Sequence, residues 1–76
     1  SRGLGDVYKR QAIFRFKGLY HELNRVYRYI YLDWLPANDY SLREPFTFET
    51  YINTPEKTPV SELITDIYIP VKKKEI

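Results

Sequence analysis

Two acidic residues are each followed, two positions further on, by a tyrosine within an alternating, strand-like stretch. These pairs are Glu49 with Tyr51 and Asp66 with Tyr68. Side chains two positions apart lie on the same face of a strand, so each carboxylate is expected beside a phenol ring. This arrangement suits an amphipathic cation, because the charge pairs with the acid and the rings add cation–π attraction. The alternative interpretation of Glu49 is a solvated strand residue, which is commoner for any single glutamate.

The two pairs are expected to share one surface. If the strands that carry them form a hairpin, both acids and both tyrosines can lie on the sheet face away from the helix. The result is an acidic, tyrosine-lined patch. Tyrosine suits such a site because it offers an apolar body and a polar tip.

Other kinds of chemistry find little support in the composition. Cysteine is absent and His21 is the single histidine, which excludes disulfides, thiolate metal sites and imidazole clusters. Ser41 and Ser61 have no histidine at an inferable distance, so a Ser–His–Asp arrangement has no support. No apolar run approaches the ~20 residues of a membrane span. We therefore expect no metal, no cofactor and no membrane contact, and a cytoplasmic location.

The charge distribution argues against nucleic-acid binding. The formal net charge is +2, and residues 1–11 carry all of it, with three basic side chains and one acidic side chain. The rest of the chain holds nine of each sign. Nucleic-acid binding usually needs a concentrated basic face. No direct nucleic-acid contact is expected from this segment.

Four elements that can position the acids follow one another after residue 11. Residues 12–17 alternate apolar and polar side chains, which predicts a half-buried strand. Residues 19–35 carry apolar side chains at spacings of three and four, which predicts an amphipathic helix that stops before Pro36. Residues 46–52 and 64–71 alternate again. The predicted fold class is α+β, a strand-helix-strand-strand unit with a three-stranded antiparallel-type sheet and one helix on one face.

Within these elements, five more residues have expected places. Trp34 is expected in the core and not as a ligand wall, and Tyr20, Tyr29 and Tyr31 are expected at the margins of the helix. Pro70 is expected at a strand end or an edge, because it cannot donate to a β-ladder.

The first eleven residues, SRGLGDVYKRQ, differ from the rest of the chain. They contain two glycines, a mixed charge cluster and no sustained periodicity. The string resembles a translated sequencing-adaptor end, and an ordinary disordered terminus fits its composition equally well. We therefore divide the chain into a non-native or disordered head, residues 1–11, and a C-terminal unit, residues 12–76. If the adaptor interpretation holds, the chain is a fragment of a longer protein.

Several motifs together resemble one known family. They are FRFKG at 14–18, WLP at 34–36, FETY at 48–51 and DIYIPVK at 66–72. In this order and spacing they look like the C-terminal half of the GyrI-like effector-binding domain, also called the bacterial transcription activator effector-binding domain. The resemblance covers residues 12–72. One departure is Asp39, where the family usually has glycine, but aspartate tolerates the left-handed backbone conformation.

The resemblance implies a fold, a task and a site. Family members contain two strand-helix-strand-strand units related by a pseudo-twofold axis, with a ligand cleft between them, and this chain corresponds to one unit. The family's central glutamate maps to Glu49, and the acid and tyrosine of its last strand map to Asp66 and Tyr68. With Tyr51 and Tyr27 these are the candidate ligand-binding residues, and no residue is assigned a catalytic role.

Three functions follow from the resemblance. The first is a multidrug-binding module for hydrophobic, often cationic effectors, in a bacterial transcription regulator or a stand-alone sensor. The alternatives are a hydrolase of strained cyclopropane-containing toxins and a protective protein that interacts with DNA gyrase. The implied partners are a hydrophobic small molecule and either the missing N-terminal unit or a second copy of the chain in a homodimer.

Overall fold

A computed structural model describes residues 6–8 and 10–74 of the 76-residue chain. The described part contains one sheet of five strands: β1 (Asp6–Tyr8), β2 (Gln11–Lys17), β3 (Tyr40–Leu42), β4 (Phe48–Tyr51) and β5 (Ile64–Lys73). A helical segment, residues 20–37, connects β2 to β3, and a short 3-10 turn, Val60–Glu62, precedes β5. The predicted α+β class, with helix on one face of an antiparallel sheet, is confirmed. The sheet has two more strands than the three predicted, because β1 and β3 are short and carry no clear alternation.

The ten-residue strand β5 is the centre of the sheet. It pairs antiparallel with β2 along one edge, and along the other edge with β4 and then with β3. The expectation that Pro70 lies at a strand end or an edge is wrong, because it lies inside the central strand β5, between the stretch paired with β4 and the stretch paired with β3. Its carbonyl accepts a hydrogen bond from the Arg43 backbone N–H on that edge. Proline has no N–H to donate, and at this position between the two ladders no strand residue on that edge is paired with it.

The core lies between the sheet and the helical segment. Phe14 from β2 and Ile67 from β5 are cross-strand partners on this face, and both are buried. Trp34 is buried against them, with its ring 5.0 Å from that of Phe14 and stacked 5.7 Å from that of Tyr40. The expectation that Trp34 is a core residue is confirmed. The sheet face away from the helical segment is called the open face below.

The helical segment is not uniform. It begins as a 3-10 turn (Tyr20–Glu22) and continues as α1 (Leu23–Tyr29), a π-helical turn (Ile30–Trp34) and α2 (Leu35–Ala37). The prediction that the helix stops before Pro36 is wrong, because Leu35 keeps helical backbone angles. Proline clashes with the carbonyl four residues earlier, and the wider π-helical turn just before Pro36 relieves that crowding. No helix among the described residues has the length and apolarity that crossing a bilayer requires.

The chain reverses direction at two residues with left-handed backbone. Asp39 has φ of 59° and ends the helical segment before β3, as its aspartate side chain was expected to allow. Arg10 has φ of 67° in the tight turn between β1 and β2. β1 pairs with β2 from Asp6 opposite Ile13 to Tyr8 opposite Gln11. Ordered sheet structure thus begins before residue 12, whereas the origin of the first residues stays a prediction.

Candidate ligand-binding site

Glu49 lies on the side of the sheet that faces the helical segment. In the pairing of β4 with β5, Glu49 is directly opposite Ile67, and directly opposite residues point to the same face. Ile67 is fully buried beneath the helical segment. Glu49 itself is exposed, because β4 is the outer strand at this edge. Its carboxylate therefore stands at the rim of the space between helix and sheet.

Two tyrosine hydroxyls donate hydrogen bonds to this carboxylate. The Tyr27 hydroxyl, from α1, lies 2.5 Å from Oε2 of Glu49, and the Tyr51 hydroxyl, from β4, lies 2.8 Å from Oε1. Hydrogen bonds to an ionised carboxylate are stronger than those between neutral groups. The glutamate thus joins the helical segment to β4 and holds both phenols in fixed directions.

More tyrosine rings surround this pair. The Tyr20 ring lies 5.2 Å from the Tyr51 ring at a tilt of 51°, and the Tyr31 ring lies 6.1 Å from the Tyr27 ring and nearly parallel to it. The residues from the helical segment are seven and four positions apart, which places them on one side of a helix. We call Glu49 and its four tyrosines, Tyr20, Tyr27, Tyr31 and Tyr51, the tyrosine cluster. It offers one carboxylate with aromatic surface on both sides.

The surroundings raise the pKa of three phenols of the cluster, those of Tyr27, Tyr31 and Tyr51. Burial, and then the hydrogen bond to Glu49, raise the pKa of Tyr27 well above the usual range of tyrosine, against a smaller lowering by Thr47. The hydrogen bond to Glu49 is the main cause that raises the pKa of Tyr51. Burial raises the pKa of Tyr31. Both hydroxyls that face Glu49 are consequently donors throughout the neutral pH range.

Replacing Glu49 with glutamine is expected to lower the pKa of Tyr51 and, less strongly, that of Tyr27. The carboxylate is the main cause of the raised pKa of Tyr51, whereas burial remains for Tyr27. Folding raises both pKa values, so the protonated phenols stabilise the folded state. This contribution to the free energy of unfolding is complete below the pKa of a free tyrosine, about 10, and is lost as the pH rises above it. The measurement is a tyrosinate absorbance titration of the wild type, Glu49→Gln and Glu62→Gln. Superimposable curves for all three proteins would contradict the hydrogen-bonded cluster.

Asp66 and Tyr68 do not join the tyrosine cluster. In the β4–β5 pairing, Thr50 is opposite Asp66 and Phe48 is opposite Tyr68, which puts all four side chains on the open face. The predicted patch, with both acids and both tyrosines on one surface away from the helix, is therefore wrong. Shifting a strand register by one residue moves every side chain to the other face, and the long connection between β4 and β5 does not fix that register.

Asp66 has a structural partner on the open face. Nε and Nη2 of Arg15 donate hydrogen bonds to its two carboxylate oxygens at 2.8 Å and 3.0 Å. The Asp66 side chain is 1% exposed and that of Arg15 is 42% exposed. The hydrogen bond and charge of Asp66 raise the pKa of the Arg15 guanidinium. This ion pair ties β5 to β2, and Asp66 is turned away from the tyrosine cluster.

A cleft lies on the opposite flank of the helical segment. It has a volume of about 420 Å³ and lies between β2 and the helix side of residues 22–29. Its lining residues are Phe14, Arg15, Phe16, Glu22, Arg25, Val26 and Tyr29. None of them belongs to the tyrosine cluster. This cleft and the carboxylate of Glu49 with its two phenols therefore lie at separate places on the described part of the molecule.

The family comparison decides what kind of domain carries this cluster. The family model of the GyrI-like small molecule binding domain matches residues 9–72. The chain belongs to the GyrI-like family. The suspected resemblance is thereby confirmed, and this is a small-molecule binding domain. No solved structure was found to match it.

In this GyrI-like domain, sequence reasoning found three members of the tyrosine cluster and missed two. Glu49, Tyr51 and Tyr27 were candidates, whereas Tyr20 and Tyr31 were expected only at the helix margin. The signal that could have found them is their spacing of seven and four residues from Tyr27, which predicts a shared side of the helix.

Proposed function

We propose that this GyrI-like domain binds lipophilic aromatic cations at the tyrosine cluster, with Glu49 as the counter-charge. The observation that carries the proposal is a single carboxylate held by the hydroxyls of Tyr27 and Tyr51, one from the helical segment and one from β4. A cation over these rings would gain cation–π attraction as well as charge pairing. A neutral ligand of the same shape would gain only stacking and desolvation.

The geometry favours weak binding of several different ligands over tight binding of a single one. Cation–π contacts at exposed positions contribute about 0.5–1 kcal/mol each, and a pair with an exposed carboxylate is weakened by solvent. Glu49 and Tyr51 are both exposed, and Tyr20, Tyr27 and Tyr31 form an open wall. We therefore expect dissociation constants of about 1–100 μM, with several unrelated aromatic cations bound by the same residues.

The cluster is supplied by one unit. Its aromatic walls come from the helical segment and β4 of the same chain, so a single unit presents the whole cluster. Within a bacterial transcription regulator, acting in the cytoplasm, a ligand would join α1 to β4 at Glu49 and favour the conformation in which they are close. Because the ligand contacts both elements only in that conformation, its binding would be coupled to the conformation of an attached DNA-binding segment.

The direct test is calorimetric titration of a rhodamine-type cation and of a neutral analogue with the same ring system. The cation is expected to bind about tenfold more tightly than the neutral analogue, because only the cation pairs with Glu49. The preference should shrink as salt is raised, since exposed charges are screened. Equal affinity for the two compounds at low salt would contradict the proposal.

We also propose that a second copy of the chain covers part of the open face. Phe46, Phe48 and Ile52 are each about half exposed there, at 50%, 53% and 47%, and the rings of Phe46 and Phe48 pack edge to face 5.4 Å apart. This stripe carries no charge, so it is complementary to itself, as a twofold contact requires. The stripe can bury roughly 300 Å² of accessible surface per chain. A standard protein–protein interface buries ~800 Å² per partner, so the dimer should be weak.

Replacing Phe48 with serine is expected to weaken this self-association severalfold, because it removes the central ring of the stripe. Sedimentation equilibrium from low to high micromolar concentration measures the effect, with Tyr29→Ser as the control on the other side of the sheet. A wild type that stays monomeric over that range, or a Phe48→Ser variant that associates like the wild type, would contradict the dimer.

A further inference from the structure

The outer edge of β4 has no partner strand. β4 pairs with β5 on one side, and no strand among residues 6–8 and 10–74 lies on its other side. β1 lies beyond β2, on the opposite side of β5, and Lys74 lies at the far end of β5, bonded to Asp39. Neither end of the described chain therefore leads to this edge. β4 also lacks lysine and proline, residues that protect exposed edges from pairing.

The backbone groups that face outward on β4 belong to Glu49 and Tyr51. The Ile52 N–H donates a hydrogen bond to the Ile64 carbonyl, so Ile52 turns its backbone groups toward β5. These groups alternate in direction along an antiparallel strand, so Thr50 also turns its groups toward β5, and Glu49 and Tyr51 turn theirs outward. A strand laid along this edge would therefore pair with the N–H and C=O groups of Glu49 and Tyr51.

A second copy of β4 fits this edge in one register. Directly opposite residues share a face, so the antiparallel, twofold registers that overlap most of β4 are centred on Glu49 or on Thr50. Centring on Glu49 sets two carboxylates opposite each other, and like charges in that position are destabilising. Centring on Thr50 sets Glu49 opposite Tyr51 of the second copy, and Phe48 opposite its Ile52.

The register centred on Thr50 matches the side chains on both faces of the sheet. On the open face, Phe48 and Ile52 are 53% and 47% exposed, and each would cover the other across the twofold axis. Aromatic–β-branched and Thr–Thr pairs are among those that stabilise antiparallel strands. On the other face, Tyr51 of the second copy would stand beside Glu49, and the two residues would exchange both backbone hydrogen bonds.

We propose that two copies of the chain pair through β4, antiparallel and centred on Thr50, and that each copy contributes its Tyr51 to the Glu49 site of the other. The proposal rests on the second copy proposed above and names the surface that it binds. The twofold axis keeps both helical segments on one side of the joined sheet, so the two tyrosine clusters become neighbours. A cation at Glu49 is then flanked by a Tyr51 ring from each copy.

Single cysteines test the pairing, because the chain has none of its own and every disulfide must join two copies. Thr50 and its copy form a pair with Cα atoms about 4.5 Å apart, which a disulfide can span. With oxidised glutathione as the oxidant, Thr50→Cys is expected to form linked dimers at least about tenfold faster than Asn24→Cys, an exposed position on α1. Non-reducing electrophoresis measures the rates, and circular dichroism confirms that both variants are folded.

A mixture of two variants tests the register. Phe48→Cys and Ile52→Cys together are expected to cross-link at least about fivefold faster than either variant alone, because each position faces the other and not itself. If Phe48→Cys links to itself as fast as the mixture does, the open faces pack face to face and edge pairing is wrong.

The shared site is tested with the linked and the reduced forms of Thr50→Cys. Calorimetric titration is done at a concentration where sedimentation shows the reduced form to be monomeric. The linked form is expected to bind the rhodamine-type cation about two- to fivefold more tightly, because the ring of a second Tyr51 flanks Glu49. Equal affinities of the two forms would overturn the contribution of Tyr51 from the second copy.

The outcomes separate this proposal from those on which it rests. Thr50→Cys that cross-links no faster than Asn24→Cys would overturn the pairing, even if Phe48→Ser weakens self-association, because the second copy would then contact the open face alone. Cross-linking needs no ligand. Rapid linking of Thr50→Cys together with no cation binding by either form would therefore support the pairing and contradict the cation site.

Discussion

Replacing Arg15 with methionine is expected to lower the free energy of unfolding by about 3 kcal/mol. The substitution leaves the Asp66 carboxylate at 1% exposure without the guanidinium that now binds both of its oxygens. Removing one partner of a buried pair is costly because the remaining charge stays desolvated. For a domain of this size, such a loss lowers the melting temperature by more than ~12 °C, which thermal denaturation followed by circular dichroism measures.

The reverse substitution is expected to cost less. In Asp66→Asn the remaining charge belongs to Arg15, whose side chain is already 42% exposed and can be hydrated. We expect a loss of about 1–2 kcal/mol there, and less than about 0.5 kcal/mol for Lys17→Met, an exposed residue on the same strand. An Arg15→Met variant as stable as Lys17→Met would show that the ion pair does not hold β2 to β5.

Replacing Glu49 with glutamine is expected to weaken binding of a rhodamine-type cation about tenfold, or roughly 1.4 kcal/mol. Glutamine keeps the shape and can still accept hydrogen bonds from Tyr27 and Tyr51, so the main change is the loss of charge. The loss lies below the ~2–5 kcal/mol of fully buried pairs because Glu49 is exposed. Calorimetric titration of the wild type and the variant measures it.

Two controls separate charge from structure in this experiment. The neutral analogue should bind Glu49→Gln within about twofold of the wild type, since no charge pair is lost. Glu62→Gln, in the turn before β5, should bind the cation like the wild type. If Glu49→Gln keeps full affinity for the cation, Glu49 is a solvated strand residue and the proposed binding mechanism is wrong.

The order and type of the main elements could be read from the sequence. Alternation over residues 12–17 and 64–71 predicted β2 and β5, because period two is the pattern of a strand, although β5 is buried on both of its faces. The apolar stripe of residues 19–35 specified the helical segment for the same reason, although the π-helical turn let it continue past Pro36. Periodicity within a single element is enough to predict whether that element is a strand or a helix.

The face on which β4 presents its side chains could not be read from the sequence. Glu49 and Tyr51 were expected on the sheet face away from the helix, yet the structure turns Glu49 toward the helical segment and exposes Phe46, Phe48 and Ile52. β4 is an outer strand of four residues, and the connection between it and β5 is long. Neither burial nor a tight turn fixes its register.

The sequence by itself determined the fold class, the family and the residue types of the site, because these depend on local periodicity and on motifs within single elements. Only the tertiary structure separated the two acids, placing Glu49 with Tyr27 and Tyr51 and Asp66 with Arg15 on the opposite face. The physical reason is that strand parity fixes neighbours within one strand, whereas contacts between strands depend on a pairing register set by the packing of the whole sheet.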